Sequence, residues 1–207
     1  MSSRSWLLFG AVIAVVLACG AGHPARAQAP AQNQKPTGAP TSPPSPPAAE
    51  PNATMPFGQD VTLTAKPIVY VKGSGTWDSA FSTISDAFKK LKAYTDKEGL
   101  KADGLPMTIF TATDDNGFDY EAAMPLAAPP KGAPHGGILV GQSPDGHALK
   151  FVHHGSYEDL DNTYEAVTNY LDDKRLEAKD MFIEEYVTDP VTADPSKLTI
   201  NVYVLLK

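Results

Sequence analysis

Gly75-Thr76-Trp77-Asp78 and Gly155-Ser156-Tyr157-Glu158 stand eighty residues apart, and overlaying them aligns much of the chain with itself. Ala80, Ile84, Ala87 and Leu91 then fall on Leu160, Tyr164, Val167 and Leu171. Both stripes have the spacing of a helix with one buried face. Upstream, Val69 and Val71 fall on Leu149 and Phe151; downstream, Phe118, Tyr120, Ala122, Met124 and Leu126 fall on Leu198, Ile200, Val202, Val204 and Leu206. The stretch between, 97–113 against 173–190, needs local gaps. An internal repeat of this length identifies the structural unit before any element is placed.

Each unit reads as strand, helix, strand, strand. Residues near 66–72 and 147–153 run apolar over strand lengths. Ser156 caps the second helix, with acid in its first turn, and Thr76 is expected to do the same for the first. The helices are expected near 77–97 and 157–176. Asp114-Asp115-Asn116-Gly117 reads as a hairpin turn between strands near 107–113 and 118–125. Ile138 to Gln142 adds a strand between the units. The expected fold class is α+β: duplicated β-α-β-β units forming one antiparallel sheet with two helices on one face, the other face open and concave.

The N-terminus reads as an export signal. Arg4 precedes thirteen apolar or small residues, Trp6 to Ala18, too few for a spanning helix, which needs about 20. Ala25-Arg26-Ala27 offers a cleavage pattern, so residues 1–27 are assigned to a signal peptide. The alternative is a lipoprotein signal at Val16-Leu17-Ala18-Cys19-Gly20, with a lipid anchor on Cys19. Residues 28–54, rich in Pro, Ala, Gln, Ser and Thr, read as a disordered linker, and residues 55–207 as the folded domain. The expected location is periplasmic or secreted, or on a membrane through the lipid anchor, with no membrane insertion of the domain. Cys19 is the only cysteine. If it leaves with the signal, disulfides, thiolate catalysis and cysteine-ligated metals leave too.

Charge points away from nucleic acid. Arg4, Arg26, Lys35 and Glu50 give residues 1–54 a net +2, so the −7 of the whole chain leaves −9 on residues 55–207. A domain without a basic stripe lacks the phosphate contacts that carry nucleic-acid affinity.

Alternation along the last strands separates two faces. Phe182, Glu184 and Tyr186 share one, Ile183, Glu185 and Val187 the other. Ile200, Val202, Val204 and Leu206 oppose Thr199, Asn201, Tyr203 and Leu205. Assigning the aliphatic faces to the helix-packed core leaves rings and polar groups on the open face, the composition of a small-molecule pocket.

Phe151-Val152-His153-His154-Gly155-Ser156-Tyr157, Tyr164, Leu171, the run Glu184-Glu185-Tyr186-Val187-Thr188-Asp189-Pro190 and the ending Val202-Tyr203-Val204-Leu205-Leu206-Lys207 resemble the GyrI-like small-molecule-binding domain, a family that includes effector-binding domains of AraC-type and MerR-type regulators. The resemblance covers most of residues 60–207. It implies a duplicated sheet fold and a pocket on the open face centred on Glu184, with Tyr186, Tyr157, Tyr203 and Trp77 as the other ligand-binding residues. Leu205 departs from a proline frequent in the family. With export expected, a transcription-factor role does not carry over.

A carboxylate in a partly dry aromatic pocket is costly unless paired, and a bound cation supplies the pair. The leading reading is an exported binding module for amphipathic, cationic organic molecules. The resemblance also implies an alternative, a hydrolase of small reactive toxins with Glu184 and Tyr186 as catalytic residues. A third is haem binding through His153 or His154. No cofactor and no metal site is expected: adjacent strand residues such as His153 and His154 point to opposite faces. Gly73-Ser74-Gly75 lacks a nucleotide-loop pattern.

Overall fold

The computed structural model describes residues 57–207. The signal and linker assignments, residues 1–27 and 28–54, lie outside the described residues. Ten principal elements follow in chain order: β1 (Gln59–Leu63), β2 (Pro67–Thr76), α1 (Ala80–Lys97), β3 (Met107–Thr113), β4 (Gly117–Pro125), β5 (Leu139–Gln142), β6 (Gly146–Gly155), α2 (Leu160–Lys174), β7 (Ala178–Tyr186) and β8 (Leu198–Leu206). A single 3-10 turn leads into each helix, Trp77–Ser79 before α1 and Tyr157–Asp159 before α2.

The eight strands form one antiparallel sheet in the order β1-β6-β8-β7-β3-β4-β2-β5. That order is a mirror of itself about the β3·β7 seam: β2-α1-β3-β4 lies on one side and β6-α2-β7-β8 on the other. At the seam Thr108 pairs with Glu184 and Phe110 with Phe182.

Both helices lie on one face. Ile84, Phe88 and Leu91 of α1 and Val167 and Leu171 of α2 join one apolar cluster with Val69, Phe110, Ala122, Phe151, Ile200 and Val202 of the sheet. The helical stripes read in the sequence are the buried ones, with Tyr164 half-buried. Two strand glycines let the core close, since a Cβ on Gly73 would stand 2.7 Å from the Tyr120 ring and one on Gly75 2.8 Å from that of Phe118. The face without helices carries its own cluster of Ile68, Ile109, Ala123, Ala148, Ile183 and Leu205.

Three local expectations change. The edge strand β1 goes unread in the sequence, because its half-buried Val61 and Leu63 make too short a pattern. Ser156 caps the 3-10 turn that leads into α2 rather than α2 itself, its Oγ accepting from the Asp159 N–H at 3.2 Å. Thr76 makes no such bond; its Oγ1 lies 3.1 Å from Ser79 Oγ instead. Arg175, at φ 55°, takes a left-handed conformation and ends α2 at Lys174.

Candidate functional site

Cross-strand partners share a face of a sheet, so register decides which side of β7 meets the helices. Phe182 pairs with Val204, Glu184 with Val202 and Tyr186 with Ile200. Those partners are the helix-side residues of β8. Phe182, Glu184 and Tyr186 therefore face the helices, and Ile183 and Glu185 face away. This corrects the expectation of a pocket on the helix-free face. The aliphatic-equals-core rule sorts β8 correctly and inverts β7, whose helix-side residues are two aromatics and an acid.

The site is a cleft of about 590 Å³ between the 3-10 turns that begin the two helices. Trp77, Asp78 and Phe81 line one wall, Tyr157, Glu158 and Asp161 the other, with Phe182 and Glu184 on β7 between them. Helix α1 packs over β2 and β4, and α2 over β6. The middle strands β3 and β7 are thus left as the base of the gap.

Glu184 is 1 % exposed. Its Oε1 accepts from Tyr164 Oη at 2.9 Å, and its Oε2 from Tyr186 Oη at 2.6 Å and Tyr157 Oη at 3.1 Å. Thr108 Oγ1 in turn donates to Tyr186 Oη at 3.5 Å. Burial pushes the Glu184 carboxyl up to about 7, against the three phenol bonds, which pull it down. The same burial, with the carboxylate alongside, drives the Tyr157, Tyr164 and Tyr186 hydroxyls well above their ordinary range, so they remain donors. Charge-assisted phenol bonds satisfy the carboxylate without neutralising it.

Rings surround this group. Phe182 stacks on Phe110 at 4.6 Å and meets Tyr164 edge-on at 4.9 Å. Trp77 lies 4.8 Å from Phe118, and its indole N–H donates to the Asp114 carbonyl at 2.7 Å. Phe81 reaches across to Tyr157 at 5.3 Å. Among the described residues lining the cleft there is no lysine or arginine.

Of the residues expected at the site, the structure brings together Glu184, Tyr186, Tyr157 and Trp77. Tyr203 is not among them: it lies on the opposite face, where it donates to Glu185 Oε2 at 2.9 Å beside Asn201. Tyr164 reads in the sequence only as a packing residue, although it stands two helical turns after Tyr157 on the same face. Phe81, Asp161 and Phe182 carry no signal that separates them from other wall or core residues. In the Glu-x-Tyr-x-x-Asp-Pro run, Glu184 and Tyr186 serve the site, whereas Asp189 builds a turn, accepting from the Val191 N–H at 2.9 Å and Thr192 Oγ1 at 3.0 Å. His153 is buried between Thr163 Oγ1 at 2.8 Å and the Ser156 carbonyl at 2.9 Å, both ring nitrogens engaged. His154 is exposed, and neither histidine lines the cleft.

Fold and cleft together define a small-molecule-binding domain of the α+β class. Residues 60–207 match the GyrI-like small molecule binding domain, and the chain belongs to that family. Among solved structures it is similar to EcmrR in its complex with DNA (14 % identity, TM-score 0.62), over 72 % of this chain and 57 % of that one. It thus spans a little over half the length of EcmrR. The EcmrR C-terminal domain alone matches over 72 % of this chain and 96 % of its own (14 % identity, TM-score 0.57). A hydrolase from Listeria innocua matches over 73 % and 92 % (11 % identity, TM-score 0.52). At these identities the likeness is one of fold. No curated protein matches this chain.

Proposed function

We propose that this domain captures amphipathic organic cations in the cleft above Glu184, as an exported binding module. The observation that carries the reading is a carboxylate buried among rings with phenol partners and, among the described residues lining the cleft, no lysine or arginine. Such a group gains most from a ligand that brings the missing positive charge and covers it with apolar surface. Aromatic faces add about 0.5–2 kcal/mol of cation–π attraction. The net −9 of residues 55–207 favours approach of cations over nucleic acid. Export rests on Arg4, the apolar run to Ala18 and the two processing patterns, and among the described residues no helix is long and apolar enough to cross a membrane.

The test of binding uses two probes of one shape, (4-biphenylmethyl)trimethylammonium and neutral 4-biphenylmethanol, titrated calorimetrically into the full chain. The cation is expected to bind more tightly, and Glu184→Gln to remove the difference. Equal affinities in the unaltered protein overturn the reading. Export is decided by the mass of the native protein: an intact Met1 in a cytosolic fraction ends that part.

A second reading is hydrolytic, with Glu184 as general base. It is favoured by the carboxyl standing near 7, where a base works best at neutral pH. Turnover of a small strained electrophile, lost in Glu184→Gln, would replace capture by catalysis.

A further inference from the structure

The pseudo-twofold that relates the two units fails in the cleft, and it fails in one direction. The eighty-residue shift lays Trp77 on Tyr157, Phe81 on Asp161 and Ile84 on Tyr164. The strands extend the comparison through their registers. Thr108 pairs with Ala122 as Glu184 pairs with Val202, and Phe110 pairs with Tyr120 as Tyr186 pairs with Ile200. Since Ala122 and Tyr120 fall on Val202 and Ile200, Thr108 corresponds to Glu184 and Phe110 to Tyr186. The acid, its three phenol donors and Asp161 all come from the second unit. The first unit answers them with a threonine, three aromatics or aliphatics that carry no hydroxyl, and Phe81.

Two further observations give this asymmetry a direction in space. Asp161 is half-buried in the cleft wall, which it lines together with Tyr157, one of the phenols that hold Glu184. On the opposite wall Trp77 and Phe81 present rings, and Trp77 is held by the Asp114 carbonyl and by Phe118 at 4.8 Å. Each wall carries one exposed acid, Asp78 and Glu158, which the shift pairs; beyond that pair the α2 side adds Asp161 and the phenols around Glu184, and the α1 side adds the rings of Trp77 and Phe81.

We propose that the cleft takes cations in a single orientation, the charged head against the Glu184–Asp161 side and a flat apolar body against Trp77 and Phe81. This rests on the capture function proposed above and narrows its ligand class. Ligands with the charge at one end fit both walls at once. Ligands whose charge is central and shielded on all sides satisfy one wall at the expense of the other. Phe81 is then a specificity residue for the body and Asp161 for the head.

The two probes above separate the walls. Phe81→Ala is expected to weaken (4-biphenylmethyl)trimethylammonium and 4-biphenylmethanol alike, each about fivefold to tenfold. Asp161→Asn is expected to weaken the ammonium about threefold and to leave the alcohol unchanged. Phe81→Leu, which keeps an apolar wall and the fold, should fall between wild type and Phe81→Ala. The orientation is overturned if Phe81→Ala and Phe81→Leu both spare the probes, if Phe81→Ala weakens only the ammonium, or if Asp161→Asn weakens both probes equally. Failure of the capture reading looks different: the ammonium then shows no advantage over the alcohol in the unaltered protein.

Discussion

Tyr203 Oη donates to Glu185 Oε2 at 2.9 Å, on the face of the sheet opposite Glu184. Two adjacent glutamates thus meet different sets of partners: Glu184 is 1 % exposed under three tyrosines, and Glu185 is half-buried beside Tyr203 and Asn201. Removing a desolvated paired charge typically costs about 2–5 kcal/mol of binding, and removing one outside the contact costs far less. Glu184→Gln is expected to weaken a cationic probe by about thirtyfold or more. Glu185→Gln and Tyr203→Phe should stay within about twofold. Calorimetry of the three variants against one cation checks the assignment of faces, and a larger loss in Glu185→Gln would reverse it.

The N-termini of the two helices make a contrast that stability measurements resolve. Ser156 Oγ accepts from the Asp159 N–H and donates to Asp159 Oδ2 at 2.9 Å, while Thr76 lacks the corresponding backbone bond. Ser156→Ala is expected to cost about 1 kcal/mol, a fall of about 3 °C in Tm for a domain of this size. Thr76→Ala should change Tm by about 1 °C or less. Equal losses would mean that the turns leading into both helices are capped alike in solution.

Much of the fold is legible in the residues because both its periodicities are strong. The shift of eighty finds the units, and the stripe Ala80/Ile84/Ala87/Leu91 finds the buried side of α1. The face of β7 is not legible in the same way. Alternation separates Glu184 from Glu185 but does not say which of them meets the helices; only the pairing Glu184 to Val202 does, and register across a long connection is a tertiary fact. A buried acid held by phenols also violates the rule that helix-side strand residues are aliphatic, which is why that rule fails at the site and holds in β8. Tyr164 shows the same ambiguity in one residue, since its ring packs in the helical stripe and its hydroxyl reaches the carboxylate.

That hydroxyl has its own prediction. Tyr164 Oη donates to Glu184 Oε1 at 2.9 Å, a bond that favours the ionised carboxylate. In Tyr164→Phe the ring remains and the donor is lost, so the Glu184 carboxyl should rise further. At pH 7 a larger fraction is then neutral, and affinity for a cation should fall about threefold to tenfold. The loss should shrink at pH 9, where the carboxyl is again mostly ionised. A loss of the same size at both pH values would assign Tyr164 a packing role alone.

Glu184 also ties stability and binding to pH, with opposite signs. Its carboxyl stands near 7 in the folded protein, against the ordinary 4.5. The groups facing it are Tyr157 in the turn before α2, Tyr164 of α2, Tyr186 of its own strand and, through Tyr186, Thr108 of β3; none brings a positive charge. A folded value above the unfolded one means that the folded state holds the proton more tightly. Its stabilising contribution is therefore fully present below about 4.5 and is lost as pH rises through about 7. At 1.36 kcal/mol per unit the loss is on the order of 3 kcal/mol by pH 8. A bound cation stabilises the ionised form and reverses the trend. Cation affinity should rise with pH up to about 7 and level off above it, and binding near pH 6 should release a proton. Titrations of (4-biphenylmethyl)trimethylammonium at pH 6 in buffers of different ionisation enthalpy count that proton. Glu184→Gln should abolish both the release and the pH-dependent stability step. A release that persists in Glu184→Gln would move the titrating group elsewhere in the domain.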